Sequence, residues 1–125
     1  DWSSDVCSSD LEAVRAACTA PVLIVPWVRF EGAHPYADAE RAHAEQEMFL
    51  LSGGAAIQNL LLALSAQGFA SCWISSTLFC QEESRAALGM SEDWFALGTV
   101  AAGPMPAGAA SPRPPLDLSE HLRTE

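Results

Sequence analysis

The chain has 125 residues, half of them hydrophobic, and carries 16 acidic against 6 basic side chains, for a formal net charge of -10. This length suits about one domain, and the apolar share is enough for a core. The acidic balance argues against nucleic acid or an anionic membrane as a partner, because phosphate binding needs a basic face.

The first eleven residues are expected to be foreign to the protein. Residues 1–11, DWSSDVCSSDL, match the translation of one reading frame of a common short-read sequencing adapter. A genuine Ser/Asp-rich leader is the alternative. Such segments are set aside before a fold is considered. We therefore expect that the natural protein begins upstream of Glu12 and that an N-terminal part of it is missing.

The remaining elements follow from apolar runs and their Gly or Pro boundaries. They are, in chain order, the end of a helix (12–20), a central strand (22–28), a loop (30–38), a polar helical segment (39–46), a buried helix, a strand (69–74), a short amphipathic helix (81–88), a second apolar strand (94–103) and an extended Pro-rich arm (104–115). Pro26 lacks a backbone N–H, so the first strand should bulge or lose a neighbour there.

Residues 53–76 form the most informative segment. Leu50, Ile57 and Leu64 recur at helical spacing, and Ala and Leu fill much of the remaining circumference, so this helix should be buried on most sides. Ser52, Gln58 and Asn59 interrupt residues 48–64, which argues against a membrane span. Gly68 suits the positive φ that ends a helix. Ligands often bind just past the carboxyl end of a strand such as 69–74.

The cysteines and histidines do not predict a metal site or a disulfide framework. Outside residues 1–11 the cysteines are Cys18, Cys72 and Cys80, with no C-x-x-C pair, and they indicate reduced thiols in a cytoplasmic protein. The three histidines are scattered without metal-ligand spacing. Cys72 has no His placed to activate it and is expected to be a small buried side chain.

Arg113 lies in the Pro-rich arm and allows more than one interpretation. A guanidinium can form paired hydrogen bonds with phosphate oxygens, which lysine cannot match in geometry. It can equally be a solvated side chain, or part of a polyproline-type ligand in SPRPPL. The residues alone leave these alternatives open.

Several segments together resemble the nitroreductase-like flavoproteins, most closely the C-terminal domain of the bifunctional coenzyme F-420:L-glutamate ligase. They are APVLIVP (20–26), GAHPYAD (32–38), EQEMFLLSGGAAIQNLLLAL (45–64), GFASCWISST (68–77), DWFALGTVAAG (93–103) and the late Arg113. The resemblance covers residues 12–118, which would form the C-terminal part of such a domain, and leaves 119–125 as a tail.

The resemblance implies an α+β fold, with a mixed sheet flanked by helices and truncated at its N-terminus. It implies an FMN-dependent oxidoreductase whose two copies share flavin sites, with a small-molecule substrate and no side chain needed as acid or base. Ser75 would lie against the isoalloxazine, flanked by Trp73 and Ile74, although core packing is the simpler role for the latter two. Arg113 would reach the phosphate.

Two departures from the family pattern affect this prediction. The family carries Gly where this chain has Ser75, and a positive φ there would cost on the order of 1 kcal/mol. The Arg/Ser-rich stretch that grips the phosphate is not found before Pro21, so residues 12–125 alone are expected to be inactive. They are also expected to aggregate, because a sheet that has lost its early strands exposes apolar edges.

The reaction implied is reduction of dehydro coenzyme F-420-0, coupled in the intact protein to an upstream ligase domain. The alternatives are a general NAD(P)H nitroreductase or flavin reductase, and a non-catalytic flavin- or deazaflavin-binding dimerisation module.

Overall fold

The computed structural model describes residues 15, 18–105, 107, 108, 115, 117 and 122. The strands and helices bounded within them are β1 (Val22–Ile24), β2 (Trp27–Arg29), α1 (Ala39–Ala66), β3 (Phe69–Ile74), α2 (Ser76–Phe79), α3 (Gln81–Leu88), β4 (Trp94–Ala96) and β5 (Thr99–Pro104). Cys18 and Thr19 are helical and the chain bends at Pro21. The predicted helix end before Pro21 is therefore confirmed in this part of the chain.

Helix α1 is one continuous helix of 28 residues that joins the polar and apolar segments. Its N-terminus is capped by Asp38, whose carboxylate accepts the backbone N–H of Arg41 at 2.8 Å. Glu40 adds negative charge to the first turn, where the helix dipole favours it. The helix ends before Gly68, which has a φ of +80°. The turn predicted at Gly68 and the strand after it are thus confirmed.

The strands form two antiparallel groups. In the three-stranded sheet β5 lies between β1 and β3, with Ile24 opposite Val100 and Ile74 opposite Thr99. Strands β2 and β4 form a separate pair. Together with the helices this is the predicted α+β architecture.

Two of the three apolar runs predicted as single strands, 22–28 and 94–103, are each broken in two. The first run breaks around Pro26, as its missing N–H suggested, and the Pro26 carbonyl accepts the N–H of Leu97 at 2.9 Å. The second run breaks at Leu97 and at Gly98, where φ is +102°. The central position predicted for residues 22–28 was wrong, because β1 lies at the edge of its sheet among the described strands, with Leu23 51% exposed.

The core lies where one face of α1 meets the sheet and the chain between β4 and β5. Ile57, Leu97 and Val100 form its buried centre, with exposures of 2%, 7% and 0%. Around them pack the half-buried residues Ile24, Val28, Leu60, Leu61, Leu64 and Phe95. Because these residues come from distant parts of the sequence, their packing fixes α1 against the strands.

The opposite face of α1 is open to solvent, so the prediction of burial on most sides was wrong. At about 100° per residue, Met48, Leu51 and Leu62 lie on the side away from Ile57, and they are 63%, 66% and 58% exposed. No described element covers this side. By length and composition alone α1 could cross a membrane, a criterion that core helices of soluble proteins also meet.

Candidate functional site

The candidate site is the turn at the carboxyl end of β3. We call residues 75–80 the Ser75 loop; it contains the one-turn helix α2. Ser75 is exposed, and its carbonyl accepts the N–H of Leu78 at 2.9 Å. Its backbone is right-handed, with φ −84° and ψ −4°. A residue with a Cβ therefore causes no strain at this position, and the cost considered for Ser in place of Gly does not arise.

Trp73 and Ile74 point to opposite faces of β3, as neighbouring strand residues do. Ile74 is 7% exposed and belongs to the core, whereas Trp73 is 43% exposed. The indole Nε1–H of Trp73 donates a hydrogen bond to the Leu97 carbonyl at 2.8 Å. Trp73 thus presents ring surface to solvent beside the Ser75 loop while its polar atom is held.

The chain between β4 and β5 is joined by hydrogen bonds to the Ser75 loop and to the residues on either side of it. We call residues 96–99 the β4–β5 link. The Thr99 hydroxyl donates to the Thr77 hydroxyl at 3.3 Å. Both groups of the Gln81 amide pair with Ala96: Nε2 donates to its carbonyl and Oε1 accepts its N–H, each at 2.9 Å. With Trp73, three side chains of residues 73–81 therefore bind this link.

Gly98 allows the close approach on which this arrangement depends. A Cβ at Gly98 would lie 2.4 Å from Trp73 Nε1 and 2.8 Å from the carbonyl oxygen of Ile74. Neither distance is tolerable between non-bonded heavy atoms, and the φ of +102° also favours glycine. This link was not predicted from the sequence, where an isolated Gly inside an apolar run is the signal that indicates it.

Cys72 was predicted to be buried, but it is exposed. It lies with Ala70, Ala101 and Gly103 along an open pocket of about 400 Å³ on the sheet. These small side chains leave the strand surface uncovered. Cys18 and Cys80 are also exposed free thiols.

Arg29, a described cation on β2, is already engaged by the protein. Arg29 pairs with Glu31 and Asp93 and stacks 5.3 Å from the centre of the Trp94 ring. A hydrogen bond from the Ser91 hydroxyl, with a smaller effect of Arg29, lowers the pKa of Asp93. Arg113, the predicted phosphate ligand, lies outside the described residues.

Two further arginines are held in the same way. Arg85 donates to the Trp94 carbonyl at 3.1 Å, and Arg41 pairs with Asp38 at 3.3 Å. Arg29, Arg41 and Arg85 are thus each held by a partner within the described part of the chain.

Besides the Asp38–Arg41 pair, the loop at residues 30–38 contacts α1 through His34 and Glu45. The backbone N–H of His34 donates to one carboxylate oxygen of Glu45 at 2.8 Å, and its ring Nδ1 lies 2.6 Å from the other. The ring hydrogen bond is the main cause that lowers the pKa of Glu45. The charged carboxylate therefore holds the loop against the helix.

A sequence model of the Nitroreductase family matches residues 2–104 of the chain. This is most of its length. The chain belongs to the nitroreductase family.

Among solved structures, the chain is similar to a nitroreductase with bound FMN from Bacteroides fragilis NCTC 9343. The identity is 20%, the TM-score is 0.50, and the match covers 96% of this chain and 89% of the other. At this identity the likeness concerns the fold, and it confirms the nitroreductase-like α+β architecture. The nitroreductase family uses FMN.

Proposed function

We propose that the protein containing this chain is an FMN-dependent oxidoreductase that reduces dehydro coenzyme F-420-0. One observation carries the cofactor assignment: the exposed Ser75 loop, at the carboxyl end of β3, combines unstrained backbone with a half-exposed indole ring. This is a surface on which a flat ring can rest, in a member of a family that uses FMN.

In this proposal each predicted residue has a binding role. The Ser75 loop contacts the isoalloxazine through its backbone and the Ser75 hydroxyl, and Trp73 flanks the ring on the exposed side. Ile74 acts from the core by fixing the strand end, since it is 7% exposed. Arg113 binds the phosphate, for which a guanidinium is well suited.

FMN held by these residues would supply hydride-transfer chemistry between a reduced donor and the oxidised substrate, and the second proton of the reduction would come from water. The polypeptide would hold the ring, exclude water from one side of it and tune its environment. No side chain of this chain is assigned as acid or base.

The substrate assignment rests on the sequence segments that resemble the coenzyme F-420:L-glutamate ligase, above all residues 45–64 and 68–77. A general NAD(P)H nitroreductase or flavin reductase is the second candidate. It is favoured by the family match and the FMN-bound neighbour, which concern nitroreductases in general.

A second copy of the chain is proposed as the partner that covers α1. Residues 48–66 contain no charged side chain, and their apolar surface faces both the core and solvent. A helix that is hydrophobic all round is buried in a core or a membrane. Since the chain is strongly acidic, an identical apolar surface is a better partner for it than an anionic membrane.

The alternative function, a non-catalytic flavin- or deazaflavin-binding dimerisation module, was supported by Ser in place of the family's Gly at position 75, as a sign of a lost flavin site. The right-handed backbone at Ser75 weakens this support, because Ser costs no strain there. The module remains the outcome to be expected if no flavin binds.

The test uses the complete gene product that contains this chain, purified and titrated with FMN. Bound flavin absorbs near roughly 450 nm, and we expect a yellow protein whose flavin is reduced by a nicotinamide or deazaflavin donor. Dehydro coenzyme F-420-0 is then compared with a quinone and a nitroarene as acceptor. Preference for either of the latter supports the second candidate, and a protein that binds no FMN overturns both enzymatic proposals.

A further inference from the structure

Among the described strands, β4 has one edge that pairs with no strand. Two side chains of α3 form hydrogen bonds with the backbone of that edge. Strand β4 pairs with β2 on one side. On the other side Gln81 binds both backbone groups of Ala96, and Arg85 binds the carbonyl of Trp94. The two side chains are four residues apart, on one face of α3, and reach strand positions two residues apart. The Gln81 amide thus takes the place of a strand's peptide group.

The Gln81 and Arg85 contacts differ in the segments of the chain that they join. Gln81 follows Cys80 directly, so its contact fixes the carboxyl end of the Ser75 loop. Its partner Ala96 is fully buried and begins the β4–β5 link. Arg85 binds one turn further along α3 and outside the link. The two contacts are therefore comparable, but only the Gln81 contact lies next to the end of the Ser75 loop.

The amino end of the Ser75 loop is held by the same link. Trp73 binds Leu97, and Thr77 in the middle of the loop binds Thr99. With Gln81 the three attachments lie four residues apart, and they reach three of the four link residues. An exposed loop held at its start, middle and end has few conformations left to lose when a ligand binds.

We propose that Gln81 is a positioning residue for the cofactor: it holds the Ser75 loop in its binding conformation before FMN is present. This inference rests on the proposed FMN function. Gln81 acts through the loop backbone and is not assigned a contact with the cofactor. Losing its amide would leave Ala96 with unpaired buried backbone groups and release the carboxyl end of the loop.

The experiment compares Gln81→Met with Arg85→Met in the complete gene product. Methionine is unbranched and apolar, so each variant removes a side chain-to-backbone contact while retaining bulk. Three quantities are measured: the free energy of unfolding in urea, the hydrogen exchange of the amides of residues 75–80 without FMN, and the FMN dissociation constant from flavin fluorescence. Gln81→Asn, which keeps the amide on a shorter chain, serves if Gln81→Met does not fold.

Both variants are expected to lose stability, but only Gln81→Met should speed exchange in the Ser75 loop. The FMN affinity of Gln81→Met should fall by about tenfold, because FMN binding must then also order the loop. The FMN affinity of Arg85→Met should stay close to that of the wild type. Equal loss of FMN affinity in both variants, or unchanged loop exchange in the Gln81 variant, would overturn the positioning role alone. A wild-type protein that binds no FMN would overturn the proposed function as well.

Discussion

The indole of Trp73 donates its only polar hydrogen to the Leu97 carbonyl, 24 residues away in sequence, at 2.8 Å. This bond joins the strand that ends in the candidate site to the β4–β5 link. Because Trp73 is 43% exposed, its ring can face a ligand while its position is fixed from behind. The two roles that the sequence presented as alternatives, structural support and ligand contact, are compatible in this one side chain.

Trp73→Phe should therefore destabilise the protein while retaining an aromatic surface. The Leu97 carbonyl would lose its partner in a partly buried setting, at a cost of about 1–2 kcal/mol in the free energy of unfolding. Urea unfolding followed by circular dichroism measures this. An unchanged unfolding free energy would mean that solvent replaces the bond without cost.

Gly98→Ala should be more damaging than an ordinary positive-φ glycine substitution. At Gly98 the new methyl meets Trp73 Nε1 and the Ile74 carbonyl as well as a φ of +102°, so strain and overpacking add to about 2–4 kcal/mol. Gly32→Ala is the matched control, because its φ is +82° but nothing lies within 4 Å, and it should cost only about 1 kcal/mol. Equal losses in thermal or urea unfolding would exclude close packing as the cause.

Gly53 and Gly54, neighbours in α1, should respond differently to alanine. A Cβ at Gly54 would make an ordinary contact at 3.8 Å with the Trp73 ring, so Gly54→Ala should stabilise the helix by up to about 1 kcal/mol. At Gly53 it would lie 2.3 Å from Leu97 Cδ1. Since Leu97 belongs to the buried core, Gly53→Ala should offset this gain or reverse it. A midpoint of denaturation that rises equally in both variants would contradict this packing.

The His34–Glu45 pair predicts an acid-dependent part of the stability. The pKa of Glu45 is lowered in the folded state, chiefly by the hydrogen bond from the His34 ring. A lowered carboxylate pKa stabilises the fold above the unfolded pKa, and this stabilisation is lost as pH falls through the folded pKa. The stability difference between wild type and Glu45→Gln should therefore be fully present above the unfolded pKa of glutamate and shrink as the pH falls through the lowered folded pKa.

Urea unfolding at several pH values measures this difference, and His34→Ala provides the control. In the His34→Ala background the main cause of the shift is gone, so Glu45→Gln should change the pH dependence less. A pH dependence that is the same in both backgrounds would show that the pair does not carry it.

A charged side chain introduced on the exposed face of α1 should dissociate the proposed dimer. Leu51→Glu places a charge opposite Ile57 and should weaken the proposed dimer strongly, because an unpaired charge would be buried. Analytical ultracentrifugation gives the dissociation constant. Ala87→Glu on the exposed surface of α3 is the control and should leave it unchanged. If the wild-type protein sediments as a monomer at all concentrations, another partner covers this face.

Features that depend on a few neighbouring residues could be predicted from the sequence. The strand Phe69–Ile74 and the helix Gln81–Leu88 have their predicted bounds, because Gly68 and Gly89 end the preceding helices with left-handed backbone. The weak point at Pro26 was also a local property, since proline lacks the N–H that a ladder requires. The family motifs likewise lie in continuous segments.

Only the tertiary structure decided which residues meet across the chain. Apolar spacing predicted burial of α1 on most sides, but which side the sheet covers depends on Leu97 and Val100, about 40 residues later. The conformation of Ser75 and its support by residues 96–99 depend on hydrogen bonds between distant segments. Such contacts leave no periodic signal in a sequence, because they form only when burial has brought both partners together.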